Sequence, residues 1–228
     1  MASMDFDRQW LARLSRSLKS IVGGDIERKV MAGSGEMLSE GTPEASAEWT
    51  VQTMMRLDEL LTSVQKRDVM TGCACCYPQS DLEDVRQAYR NSGDIDEAIG
   101  MLRGKFVSFL RDRLGLGDDL IGQILAAGWG LAGVREDDVI IATKIPKSGS
   151  IVDYFRQTDP IRKRRFYCYC PRVRDSIGKG RRISQTYCYC GAGFYKAIWE
   201  YILDRPVDVE VLESVLGGGD VCRIAVRP

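Results

Sequence analysis

The sequence predicts an α+β protein: a helical N-terminal half, then a C-terminal antiparallel sheet with packed helices. Three observations carry this. Apolar residues recur at helical spacing through roughly the first 130 residues. After Gly133 the pattern shifts to β-rich runs such as "DVIIATKI" at 138–145. The C-terminus reads "VDVEVLESVL", "GGGD", "VCRIAVRP", two apolar runs around a glycine turn, as in a β-hairpin. The chain divides into a helical region, 1–133, and an α+β cysteine-rich region, 134–228, a division also compatible with one composite domain.

The elements follow in order. Residues 5–22 place Phe6, Trp10, Leu11, Leu14, Leu18, Ile21 and Val22 on one face of an amphipathic helix. Its acidic residues favour packing on the chain's own body over a membrane surface. "GGDIERKVMAGSGEMLSEG" at 23–41 is weakly patterned and reads as a connector. Thr42-Pro43-Glu44 opens a helix running through Trp49, Met54, Leu57, Leu60, Leu61 and Val64, with Pro43 at its first position. Ser80 and Glu83 form a capping-box pattern. Asp94 opens "DIDEAIGMLRGKFVSFLRDRLG", and 118–128 is a further short helix. "GAGFYKAIWEYILDRP" is a helix that enters through glycines and must stop before Pro206.

Composition bounds function. With 228 residues, 44% hydrophobic and 28% charged, the chain can bury a real core. Its formal net charge is zero, which argues against a nucleic-acid or membrane partner. The first twenty residues are too charged for a signal peptide. The longest apolar stretch, "ILAAGWGLAGV" at 124–134, is too short to cross a bilayer. A cytoplasmic location is expected.

The chain has eight cysteines and no histidine. "FYCYCP" at 166–171 and "TYCYCG" at 186–191 repeat Y-C-Y-C, and "TGCACCYP" at 71–78 holds a third C-x-C. In a reducing compartment, clustered thiols favour metal or redox chemistry over structural bridges, although disulfides between the repeats stay open. Each pair precedes a turn former (Pro171, Gly191, and Pro78 after Tyr77), so the expected geometry is a bent strand end carrying thiolates, tyrosines facing away. Cys168, Cys170, Cys188 and Cys190 form the first candidate ligand set for zinc or an iron–sulfur cluster. Cys73, Cys75 and Cys76 would complete a second site or replace a member of the first. Four ligands would close a zinc site, and three would leave room for catalysis. Cys222, alternating with Ile224 and Val226, reads as a small core residue.

Two further readings attach to the same region. Cys190 precedes Gly191-Ala192-Gly193 and a helix, where exposed amides stabilise a thiolate or bind a small anion. Nucleophilic catalysis would need an Asp, Glu, Lys or Tyr base. Basic residues Arg162, Lys163, Arg164, Arg165, Arg172, Arg174, Lys179, Arg181 and Arg182 face one acid, Asp175, within 161–182. With interleaved tyrosines this could suit nucleic acid, but it equally balances thiolates or an anionic ligand. Gly191, Gly193, Arg172 and Arg174 are therefore the candidate ligand-binding residues.

"YCYCGAGFYKAIWEYILDRPVDVEVLESVLGGGDVCRIAV" resembles the closing part of the vinyl-4-reductase type of small-molecule-binding domain. Gly193-Phe194, Glu210 or Glu213, Gly219-Asp220 and Cys222-Arg223-Ile224 match in order, over roughly 138–228. Ile224 stands where that family has an aromatic residue, and its penultimate-strand cysteine is absent here. The whole chain is similar to an uncharacterised cysteine-rich prokaryotic family distantly related to L-2-amino-thiazoline-4-carboxylate hydrolases. These resemblances imply an α+β ligand-binding fold like that of TRAPP-type trafficking subunits. The expected function is a cysteine-rich metal-binding protein that binds or senses a small molecule. The alternative is a metal- or thiol-dependent hydrolase-like enzyme. The expected partner is a small-molecule ligand, and a homodimer stays open.

Overall fold

A computed structural model describes residues 2–128, 130–174, 176–177 and 183–228. Twelve helices and four strands are described: α1 Ala2–Val22, α2 Gly24–Val30, α3 Ser34–Glu40, α4 Pro43–Leu60, α5 Ser63–Gly72, α6 Glu83–Ser92, α7 Ile95–Ser108, α8 Asp118–Ala126, β1 Val134–Glu136, β2 Val139–Thr143, α9 Ile151–Arg156, α10 Pro160–Tyr167, α11 Pro171–Arg174, α12 Tyr189–Leu203, β3 Asp208–Glu213 and β4 Arg223–Arg227. The fold is α+β, helical at the N-terminal side, with one small antiparallel sheet. None of the described helices is long and apolar enough to cross a membrane.

In α1 the spacing of Trp10, Leu11, Leu14 and Leu18 puts all four on one buried face. The expected connector at 23–41 instead carries α2 and α3. The glycines there act as punctuation: Gly23, Gly33 and Gly41 take positive φ, while Val30 and Met37 bury one apolar anchor per short helix. Thr42 caps α4 as expected, its hydroxyl accepting the Ala45 N–H at 3.1 Å with Pro43 in the first turn. That helix stops before Leu61, because Thr62 and Gln65 form a reciprocal capping box that starts α5. The box expected at Ser80 and Glu83 does not form. The Ser80 hydroxyl turns to the Asp81 carboxylate, and α6 starts from Leu82 with no side-chain cap. Asp94 caps α7, whose end relaxes into a π turn over Phe109–Arg113.

The sheet order is β1-β2-β4-β3, antiparallel throughout. A two-residue turn joins β1 to β2, with Asp137 left-handed at φ 56°. The C-terminal hairpin forms, but its connection is more ordered than a bare glycine turn. The Glu213 carboxylate accepts the Asp220 N–H at 2.8 Å and the Val221 N–H at 3.3 Å. A 3-10 turn fills Val215–Gly217. Core β2 and β4 residues (Ile140, Ala142, Ile224, Val226) face one continuous apolar cluster that also takes in α1, α4, α5, α7 and α12. The two sequence regions thus share one core.

The Y-C-Y-C pairs lie at helix boundaries, not on bent strand ends. Asp159 caps α10, with Pro160 in its first turn, and that helix runs into the first pair, leaving Cys168 as its C-cap. The Cys170 carbonyl then accepts the N–H groups of Val173 and Arg174 in α11. In the second pair, Cys188 ends a 3-10 turn and Cys190 sits in the first turn of α12. The apolar run that follows Gly191 makes a helix rather than a strand because it buries residues 192, 195, 198, 199, 202 and 203 at helical spacing.

Helix α12 packs against both α5 and β3. At the α5 contact a Cβ on Gly193 would lie 2.1 Å from the Thr71 carbonyl oxygen, which is backbone and cannot swing aside. Gly193→Ala should therefore destabilise the protein by about 3 kcal/mol in urea unfolding. A midpoint unchanged from the parent would contradict this packing.

Candidate functional site: a cysteine-lined cavity

A cavity of about 420 Å³ opens where α1, the segment after α5, the ends of β2 and β3, the start of β4 and both Y-C-Y-C pairs meet. Seven of the eight cysteines line it: Cys75, Cys76, Cys168, Cys170, Cys188, Cys190 and Cys222. Cys73 is fully buried behind them. The rest of the wall is mainly aromatic, including Phe6, Trp10, Tyr77, Tyr167, Tyr187 and Phe194. All eight cysteines are free thiols.

Three of the four repeat tyrosines do not face away as expected: Tyr167, Tyr169 and Tyr187 line the cavity, while Tyr189 lies outside the lining, under the Arg67 guanidinium. Tyr167 also holds the frame together. Its hydroxyl donates to the Lys144 carbonyl and accepts the Cys222 N–H at 3.0 Å. The Lys144 N–H in turn reaches the Cys222 carbonyl at 3.0 Å. Tyr187 stacks on Trp10, with centroids 5.8 Å apart, and its hydroxyl lies 2.8 Å from Cys170 Sγ. Cys222 packs on the core as expected and, in addition, faces the cavity.

Burial sets the thiols apart from one another. It pushes Cys73, Cys75, Cys168, Cys170 and Cys222 above the ordinary thiol range and Cys188 up to about 12. Cys190 goes the other way, down to about 6. The Cys73 thiol hydrogen-bonds its sulfur, and this outweighs burial; Trp10, Lys144 and Arg13 add to the shift. The Trp10 indole N–H is buried without an oxygen or nitrogen partner, so a Cys190 thiolate gives it a counterpart. Arg13 approaches from α1, its guanidinium donating to the Cys73 carbonyl at 3.3 Å and to Cys75 Sγ at 3.7 Å.

Of the expected ligand-binding residues, Gly191 lines the cavity, and Lys144 Nζ would lie 3.2 Å from a Cβ placed there. Gly193 serves helix packing instead. Arg172 lies behind the wall, 2% exposed, paired with Asp7 and stacked 4.3 Å over the Trp10 ring. Arg174 starts no contact with the cavity either: its backbone N–H closes the turn at Cys170. The basic run is broken up by the fold, Arg164 pairing with Asp220. Asp175, Lys179, Arg181 and Arg182 lie outside the described residues.

As arranged, the sulfurs surround a void. Among the described residues, no three Cys, Asp or Glu side chains are disposed to hold one ion. The site residues that sequence reasoning missed are Trp10, Arg13 and Lys144. Lys144 had a signal, a lone cation directly after the apolar strand "VIIAT". Trp10 and Arg13 had none, being more than a hundred positions from Cys190.

Residues 150–228 match the model of a family of unknown function, DUF6144. No curated protein and no solved structure matches the chain.

The electrostatics give a direct test. Labelling of Cys190 by an uncharged aromatic iodoacetamide should rise with pH around a midpoint near 6, followed by peptide mass spectrometry. Cys73→Ala should move that midpoint upward by removing the main donor. A parent midpoint at the ordinary value of about 8.5 would contradict the arrangement.

Proposed function

We propose that the chain binds a small, largely apolar molecule in the cysteine-lined cavity and engages it through its thiols, in a binding or sensing role. The observation that carries this reading is the cavity itself: about 420 Å³, walled by aromatic rings and seven sulfurs. That volume falls in the range of small-molecule sites. The resemblance to vinyl-4-reductase-type ligand-binding domains supports the same reading. So does the Glu213–Asp220 contact, which joins two positions of the resemblance. Eight free thiols suit a reducing, cytoplasmic setting.

A second reading is favoured by the convergence of sulfurs. Zinc or an iron–sulfur cluster would be held by thiolates drawn from Cys168, Cys170, Cys188 and Cys190, with Cys73, Cys75 or Cys76 as replacements. The sulfurs would have to close in on one point, since they now ring the cavity. Such a group would supply Lewis-acid or electron-transfer chemistry. A thiol-dependent hydrolase would use Cys190, with the Lys144 and Arg13 charges favouring its thiolate.

The two readings separate in one experiment on anaerobically purified protein. The neutral aromatic probe 1-aminoanthracene should bind with a fluorescence increase, and Val211→Trp, which fills the cavity, should weaken binding at least about tenfold, as burial of its apolar surface is lost. Melting temperature should stay near the parent value. Equal probe binding by the filled variant would remove the ligand reading. Stoichiometric zinc or iron that is lost in Cys190→Ser together with stability would favour the metal reading.

A further inference from the structure

One pair of thiols, one lining the cavity and one behind its wall, differs in placement from the other six. Cys73 follows the last turn of α5, and Cys190 lies in the first turn of α12. Between these helices the backbone makes the closest approach noted above, Thr71 against Gly193. Cys73 is two residues past Thr71 and Cys190 one turn before Gly193, so both sulfurs fall beside the contact. The two thiols act on each other, Cys190 pushing Cys73 up and Cys73 pulling Cys190 down. The Cys73 thiol also has the Met70 carbonyl as an acceptor, at 3.2 Å. Cys190 faces the cavity, and Cys73, with no exposure, does not.

We propose that Cys190 and Cys73 are the attacking and resolving thiols of a dithiol centre that reduces a small apolar disulfide bound in the cavity and ends as a Cys73–Cys190 disulfide. The division of roles follows from access. Of the two, only Cys190 lines the cavity, and Cys73 lies behind it with no exposure. This inference rests on the cavity being a small-molecule site, and it adds the substrate class.

The step balances without a further reagent. The Cys190 sulfur attacks one sulfur of the substrate; a protein–substrate S–S bond forms as the substrate's own S–S bond breaks. The departing half leaves as a thiolate beside the Lys144 ammonium and takes the proton of Cys73. The Cys73 thiolate then attacks Cys190 Sγ, and the second half leaves as a thiolate to be protonated by solvent. The substrate gains two electrons, and the dithiol loses them. Apolar walls select an uncharged disulfide over a charged one, because among the described lining residues only Lys144 and Lys105 would compensate a buried anion, and Lys105 is already paired with Asp84 at 2.9 Å.

The test uses the full chain carrying Cys75→Ser and Cys76→Ser, which removes the exposed thiols, with 2,2′-dithiodipyridine as the uncharged aromatic disulfide. The expected result is fast release of two equivalents of pyridine-2-thione and a Cys73–Cys190 linked peptide by mass spectrometry. Cys73→Ser should stop at one equivalent, with a mixed disulfide on Cys190; Cys190→Ser should lose the fast phase. A negatively charged aromatic disulfide, 5,5′-dithiobis(2-nitrobenzoate), should react at least tenfold more slowly. A stable mixed disulfide on Cys190 in the parent background, or a linked pair other than Cys73–Cys190, would overturn the proposal. Binding of 1-aminoanthracene in the same protein separates the two claims. If the probe binds and no such linkage forms, the dithiol proposal fails and the cavity reading stands.

Discussion

The Thr71 carbonyl and Gly193 meet so closely that no side chain fits between them, and the site is assembled from that contact outward. It fixes the end of α5 against the start of α12, and thereby carries Cys73, Cys75 and Cys76 from the helical half to the second Y-C-Y-C pair. The same α12 lies on β3, so the sheet is set in the same frame. Tyr167 then ties the end of β2 to the start of β4 through Lys144 and Cys222. Without the helix contact, the cysteines of the two regions would have no reason to share a cavity.

A second constraint is the buried charge of Arg172. The guanidinium is nearly without exposure, packed on Trp10 and paired with Asp7 of α1. Removing one partner of such a pair would leave an uncompensated buried charge, which costs more than the intact pair contributes. The pair therefore commits α1 to one seat. That seat brings Trp10 to the cavity wall, where it stacks on Tyr187, and brings Arg13 to the Cys73 carbonyl. Electrostatics at Cys190 thus depend on a helix that precedes it by nearly the whole chain.

Much of the fold was legible because local signals and burial agree. The Thr42-Pro43 start, the Asp94 cap and the period of α12 each state a helix in their own residues. The hairpin at the C-terminus states itself by alternation. Where reading failed, a tertiary or competing local signal decided. Gly23 and Gly33 looked like a connector's glycines but mark the ends of short helices anchored by Val30 and Met37. Thr62 and Gln65 broke a helix whose apolar period ran on. Y-C-Y-C alternates like a strand, yet Asp159-Pro160 upstream of one copy and the apolar helical period downstream of the other place both at helix boundaries. The site was legible as a set of cysteines and illegible as a shape. Spacing names candidate sulfurs, but whether they meet at a point or ring a void depends on how helices far apart in sequence cross. Trp10 and Arg13 enter by that crossing alone.

Chemical cross-linking of the native, reduced protein with a short bifunctional maleimide, mapped by peptide mass spectrometry, tests the shared cavity most directly. Cross-links should join Cys75 or Cys76 to Cys170, Cys188 or Cys190, across roughly a hundred positions of sequence. Cross-links confined to 73–76 on one side and to 168–222 on the other would contradict the shared cavity and everything built on it.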